Sequence, residues 1–205
     1  MSKTLIVDYG MGNLGSVKRA FEECGTDVFI SDNPDDCEMA DHIVLPGVGA
    51  FADGMAALTT AGWVDALHVA TQQDNIPLLG ICLGMQLLAD KGFEGGETVG
   101  LGLIPGEVRR LVAVTSETRI PHVGWNEVNH GGKHPLFTGI PTGVDFYFVH
   151  SYHFVTANDD DTLAVTPYCG SFVSAVARNT VYGTQFHPEK SSRAGFQLIR
   201  NFMAL

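Results

Sequence analysis

Pro77-Leu78-Leu79-Gly80-Ile81-Cys82-Leu83-Gly84-Met85-Gln86 changes its hydrophobic pattern halfway along, and the change falls on a cysteine. Ile76 to Ile81 is a short continuous apolar run of the kind shown by a parallel strand covered on both faces, and Leu83 to Asp90 reads as a helix stopped at Lys91-Gly92. The sharp turn between them needs small neighbours, which Gly80 and Gly84 supply. A sulfur on such a turn projects outward beside the first N–H groups of a helix, where an anion is favoured. Taken by itself, the stretch fits equally well a small buried hydrophobe between two turn glycines.

Two further stretches favour the chemical reading. In Gly183-Thr184-Gln185-Phe186-His187-Pro188-Glu189, an imidazole and a carboxylate stand two positions apart after the strand-like run Asn179 to Phe186. In extended chain that spacing puts both on one face. A cysteine nucleophile needs a base to take and return a proton, and the base needs a partner that fixes its tautomer, so Cys82, His187 and Glu189 form a candidate catalytic set. The third stretch, Ile43-Val44-Leu45-Pro46-Gly47-Val48-Gly49-Ala50-Phe51, runs a strand into a glycine-bracketed turn whose backbone N–H groups can face a cleft. Val48 and Leu83 are the candidate oxyanion donors.

With these three pieces in this order, the chain resembles the class I, or triad, glutamine amidotransferases along nearly its whole length. The resemblance rests on the Pro-Gly-x-Gly turn at Pro46, the Gly-x-Cys-x-Gly-x-Gln elbow at Gly80 and the late His-x-Glu at His187. It implies a flavodoxin-like α/β fold of three layers, with a mostly parallel central sheet and helices on both faces. It also implies that Gly47, Gly49, Gln86, Glu94, Ser151 and Tyr152 hold glutamine, with no metal and no cofactor. From the residues alone, Glu94 in Gly92-Phe93-Glu94-Gly95-Gly96-Glu97 is an ordinary loop carboxylate.

Length and charge agree with a globular enzyme. The 205 residues suffice for one domain spanning 1–205 with a substantial core. A net charge of −11 argues against nucleic acid or an anionic membrane as the main partner. Cys24, Cys37, Cys82 and Cys169 show neither metal-type pairing nor a disulfide framework, which fits a reducing cytoplasm. Met1 to Asp8 turns polar after three apolar residues, unlike a signal peptide or an anchor.

The first hundred residues alternate strand and helix. Thr4 to Asp8, Asp27 to Ile30 and His42 to Leu45 read as strands, and helical patterns surround Val17 to Cys24, Met55 to Leu58 and Val64 to Val69. Asp8, Pro46 and Cys82 then fall at the carboxyl ends of parallel strands, where ligands bind in such sheets. The later strands are Phe146 to His150, Leu163 to Thr166, Val173 to Ala177 and Val181 to Phe186, and the final helix carries Leu198, Ile199 and Phe202 on one face. One alternative competes: Gly10-Met11-Gly12-Asn13-Leu14-Gly15 satisfies the dinucleotide pattern, with Asp32 about 20 residues on, and would make the chain a non-enzymatic nucleotide-binding module.

A narrower resemblance rests on Ile120-Pro121-His122-Val123-Gly124-Trp125-Asn126, on Asp8 to Leu14, and on Phe148-Val149-His150-Ser151-Tyr152. These stretches are similar to the glutaminase subunits of imidazole glycerol phosphate synthase, a family of histidine biosynthesis, and speak against the glutaminase of another synthase such as the pyridoxal phosphate type. The similarity implies a heterodimer with a cyclase subunit that receives ammonia, and an activity that stays low until partner and acceptor ligand are bound. It places Asn13, Trp125, Tyr147 and Lys190 at the subunit contact. Read from the residues, Trp125 sits in a Pro/Gly-bounded turn and is either core or interface anchor.

Overall fold

The computed structural model describes residues 2–205. The first half runs β1 (Lys3–Val7), α1 (Leu14–Glu23), β2 (Asp27–Ser31), β3 (His42–Gly47), α2 (Phe51–Thr60), α3 (Trp63–Gln72), β4 (Leu78–Cys82) and α4 (Leu83–Leu87). The second half is strand-rich: the two-residue β5 (Lys91–Gly92) and β6 (Thr98–Val99), then β7 (Gly106–Arg110), β8 (His122–His130), β9 (Val144–His150), β10 (Tyr152–Thr156), β11 (Thr162–Thr166), β12 (Phe172–Arg178) and β13 (Val181–Thr184). Helix α5 (Ser192–Phe202) closes the chain.

The sheet is ordered β2-β1-β3-β4-β13-β12-β10-β7-β5-β6. Its first five strands are parallel, as the βα alternation requires, and from β12 onward the pairing turns mainly antiparallel. Strand periodicity divides the core in two. Leu5, Val7, Ile43, Leu45 and Leu78 face the layer built by α2, α3 and α4, where Phe51, Leu58, Trp63 and Leu67 are fully buried. Ile6, Val44, Leu79 and Ile81 face the layer of α1 and α5, against Phe21, Leu198, Ile199 and Phe202. Helices therefore cover both faces of the parallel block. None of the described helices is long and apolar enough to cross a membrane.

Two readings of the sequence need correction. Helix α4 ends at Leu87, short of Asp90, because Leu88 and Ala89 donate to carbonyls three residues back and Asp90 is drawn away to Gly106, bonding it through both backbone and carboxylate. Trp125 lies not in a turn but within β8, opposite Tyr147 of β9. Gly124 suggested a turn, yet the strand passes through it with φ of +131°.

Candidate functional site

Cys82 ends β4 and caps α4 with φ 55° and ψ −108°, a conformation that costs a non-glycine residue free energy and is held here by its surroundings. The neighbouring glycines are required by space. A Cβ on Gly84 would collide with the Leu45 carbonyl oxygen, and one on Gly80 would lie 2.7 Å from the Gly84 carbonyl carbon. The strand-to-helix turn is thus packed directly on β3, where Gly47 is in register with Cys82.

His187 and Glu189 are paired by a different geometry from the one the spacing suggests. Strand β13 stops at Thr184, and Pro188–Lys190 forms a single 3-10 turn. The turn brings Glu189 Oε1 to 2.8 Å from His187 Nδ1, with both side chains at most 3% exposed. His187 itself is fastened from two sides: its N–H donates to the Tyr147 carbonyl at 2.9 Å, and its own carbonyl accepts from the Ser191 hydroxyl at 2.6 Å. Burial pulls the imidazole pKa down, but the adjacent Cys82 and the hydrogen-bonded Glu189 outweigh it and raise it to about 9. Nε2 is buried with no hydrogen-bond partner. The Cys82 sulfur lies 3.9 Å from the Val149 carbonyl oxygen and 3.7 Å from Gln185 Nε2.

A cleft of about 290 Å³ opens over the sulfur, lined by Val48, Gly49, Cys82, Leu83, Gln86, Glu94, Val149, His150, Ser151 and Tyr152. Most of the glutamine-site residues expected from the sequence meet here. Gly47 is not among the lining residues: it sits behind the cleft, where a Cβ would strike the Tyr9 hydroxyl and lie 3.2 Å from the Gly84 nitrogen. Gln86 anchors the far wall, donating through Nε2 to the Tyr152 carbonyl at 2.9 Å and to Gln185 Oε1 at 3.0 Å. Gln185 escaped the sequence reading, although its place two residues before His187 was the available signal. It bridges Gln86 to the Cys82 sulfur from full burial.

A second buried network, also unread in the sequence, stands behind the Ser151-Tyr152 wall. The Tyr152 carbonyl can only accept, so His150 Nδ1 carries the proton at 2.8 Å, and its Nε2 accepts from His122 Nδ1 at 3.0 Å. His122 Nε2 then accepts from the Asn126 amide at 3.2 Å. Both rings are neutral in this arrangement, and burial lowers His122 to about 4 and His150 to about 3.

The four residues expected at a subunit contact are gathered at the rim. The Trp125 and Tyr147 rings meet edge to face at 6.1 Å, and Lys190 Nζ lies 5.8 Å from the Tyr147 ring centre. Asn13 caps α1 through Ser16 and borders the same narrow gap as Glu189 and Lys190. Around them Val48, Val123 and Trp125 are 46%, 58% and 52% exposed, and Val149 joins them at the cleft edge. The glycine loop at Gly10–Gly15 packs against this site, a Cβ on Gly12 lying 3.7 Å from Gly47.

The family described as glutamine amidotransferase class-I matches residues 5–205. The chain belongs to the class-I glutamine amidotransferases. Among members of this family, the imidazole glycerol phosphate synthase subunit HisH of Moorella thermoacetica is 46% identical over 98% of this chain and 94% of its own length. The subunit of the same name from Cereibacter sphaeroides is 45% identical over 98% and 97%. The amidotransferase fold is shared with PurLQS from Thermotoga maritima at a TM-score of 0.75, with 18% identity and coverage of 100% of this chain and 99% of that one. No cluster of three or more potential metal-ligating residues occurs among the described residues.

Proposed function

We propose that this chain is the glutaminase subunit of imidazole glycerol phosphate synthase, hydrolysing L-glutamine through Cys82, His187 and Glu189 and delivering ammonia to a cyclase subunit. The carrying observation is the buried His187–Glu189 pair, with a free Nε2, beside a strained cysteine on the floor of a cleft. The assignment to histidine biosynthesis is supported by the HisH relatives, which align over almost the entire chain.

The steps follow from the groups present. The Cys82 thiolate attacks the carboxamide carbon, and the oxyanion is stabilised by backbone N–H groups of Leu83 and Val48. Helix α4 has only five residues, so local N–H groups matter here more than a macrodipole. As the tetrahedral species collapses, the His187 imidazolium gives its proton to the departing nitrogen and ammonia leaves. His187 then takes a proton from water, which attacks the thioester carbon; the C–S bond breaks and glutamate is released. Glu189 holds the ring and its Nδ1 proton throughout. The amino-acid end of glutamine is held by Glu94 and by the Gly49, Ser151 and Tyr152 backbone, with Gln86 setting the wall.

The rim formed by Val48, Val123, Trp125, Tyr147 and Lys190 has the composition of an interface core, aromatic and apolar with one cation, and is the face we assign to the cyclase subunit. Because Val48 belongs both to this rim and to the cleft, docking there can reach the oxyanion turn directly. A glutamine-analogue electrophile tests the reading. It should label Cys82 selectively, and labelling of Cys24, Cys37 or Cys169 at a comparable rate would contradict a glutamine pocket.

A further inference from the structure

Helix α2 begins immediately after the Gly47-Val48-Gly49 turn, and its start lacks the usual local cap: Ala50 occupies the N-cap position and has no side chain to offer. The cap arrives from another segment. Glu94 Oε2 accepts the Phe51 N–H at 2.9 Å, across 43 residues of sequence. The loop that carries Glu94 is itself seated on Phe51. Gly92 lies flat against the buried ring, where a Cβ would sit 2.7 Å from ring carbons, and Gly100 approaches its edge. Phe93 is fixed by a backbone bond to Val108 at 3.0 Å. Glu94 also lines the cleft, so one carboxylate faces the substrate site and holds the residue three positions beyond Val48.

We propose that Glu94 is a positioning residue as well as a substrate ligand, coupling occupation of the cleft to the placement of the oxyanion turn by capping α2. This rests on the glutaminase reading above. Glutamine's ammonium, drawn to Glu94, orders the carboxylate. The ordered carboxylate holds Phe51 N–H and with it the Gly49-Ala50 end of the turn, where Gly49 stands at φ +128°. An acidic side chain at the first turn of a helix is also favoured electrostatically. Charge is needed to bind the ammonium, whereas any acceptor of the right length serves as the cap, and this difference separates the two roles.

The test uses this chain in complex with a cyclase subunit and its ribonucleotide, with kcat counted per Cys82 titrated by a glutamine-analogue electrophile, so that unfolded material does not enter. Glu94→Gln keeps an acceptor and loses the charge, so KM rises. Glu94→Ala loses both, and kcat falls by about tenfold below that of Glu94→Gln. Equal kcat in Glu94→Gln and Glu94→Ala would overturn the coupling. A wild-type complex that released no glutamate would instead overturn the glutaminase reading beneath it.

Discussion

His187 Nδ1 stands 2.8 Å from Glu189 Oε1, with both side chains almost entirely removed from water, while the other ring nitrogen is buried and unpaired. A carboxylate so placed stabilises the imidazolium, and Cys82 beside it does the same, which lifts the ring pKa to about 9 despite burial. The ring therefore carries its proton beside Cys82. Glutaminase activity of the complex is expected to fall through an alkaline limb near pH 9, as the proton destined for the leaving nitrogen is lost. Glu189→Gln should move that limb to lower pH and reduce kcat by about two to four orders of magnitude. An unmoved limb in a pH–rate profile would argue against this role for Glu189.

The same shifts act on stability, with opposite signs. His187 has a folded pKa above its unfolded value of about 6.5, so its contribution is complete below that value and is lost as pH rises through about 9. His122 and His150 lie below theirs, at about 4 and about 3, so their contribution is complete above about 6.5 and is lost as pH falls toward those values. Urea unfolding of wild type and His150→Gln between pH 3 and 7 should show a shallower acid loss in the variant. Parallel curves would mean that the histidine pair is not neutral in the fold.

Gly84 is closed against the Leu45 carbonyl oxygen, so Gly84→Ala forces β3 and the elbow apart. The expected cost is about 3 kcal/mol or more, read as a lower denaturant midpoint at unchanged slope. Gly95→Ala is an informative contrast, since open space surrounds that position and only its φ of +74° opposes a side chain.

Trp125 is half exposed and meets Tyr147 edge-on, so it contributes little to the isolated fold. Trp125→Ala should leave the melting temperature within a few degrees while weakening cyclase binding by about 2 kcal/mol or more, measurable by calorimetry. Loss of stability without loss of affinity would place the residue in the core instead.

How much of this was legible in the sequence depends on whether a signal is local. The parallel block was readable because Leu78 to Ile81, Ile43 to Leu45 and Leu5 to Val7 are continuous apolar runs broken by turn glycines. The elbow was readable because Gly80 and Gly84 leave few alternatives around Cys82. Harder to see was the β8–β9 hairpin, where His122, Trp125 and Asn126 mix polar and aromatic residues on a strand that serves a rim and a buried network together. The His187–Glu189 pairing was anticipated from extended-chain spacing and is made by a 3-10 turn. Gln185 and the Glu94 cap on Phe51 are contacts across 99 and 43 residues, which no short pattern announces. Gly47 belonged to the expected motif and lies behind the cleft, closely packed against Tyr9 and Gly84.

Glutamate release from L-glutamine is to be measured for this chain alone and then with an imidazole glycerol phosphate synthase cyclase subunit and its ribonucleotide substrate, with Cys82→Ala as control. A partner-activated glutaminase should show slow release by the chain alone, strong stimulation in the complete mixture, and none from Cys82→Ala despite retained glutamine binding. Turnover by Cys82→Ala in the complete mixture would rule out Cys82 as the nucleophile.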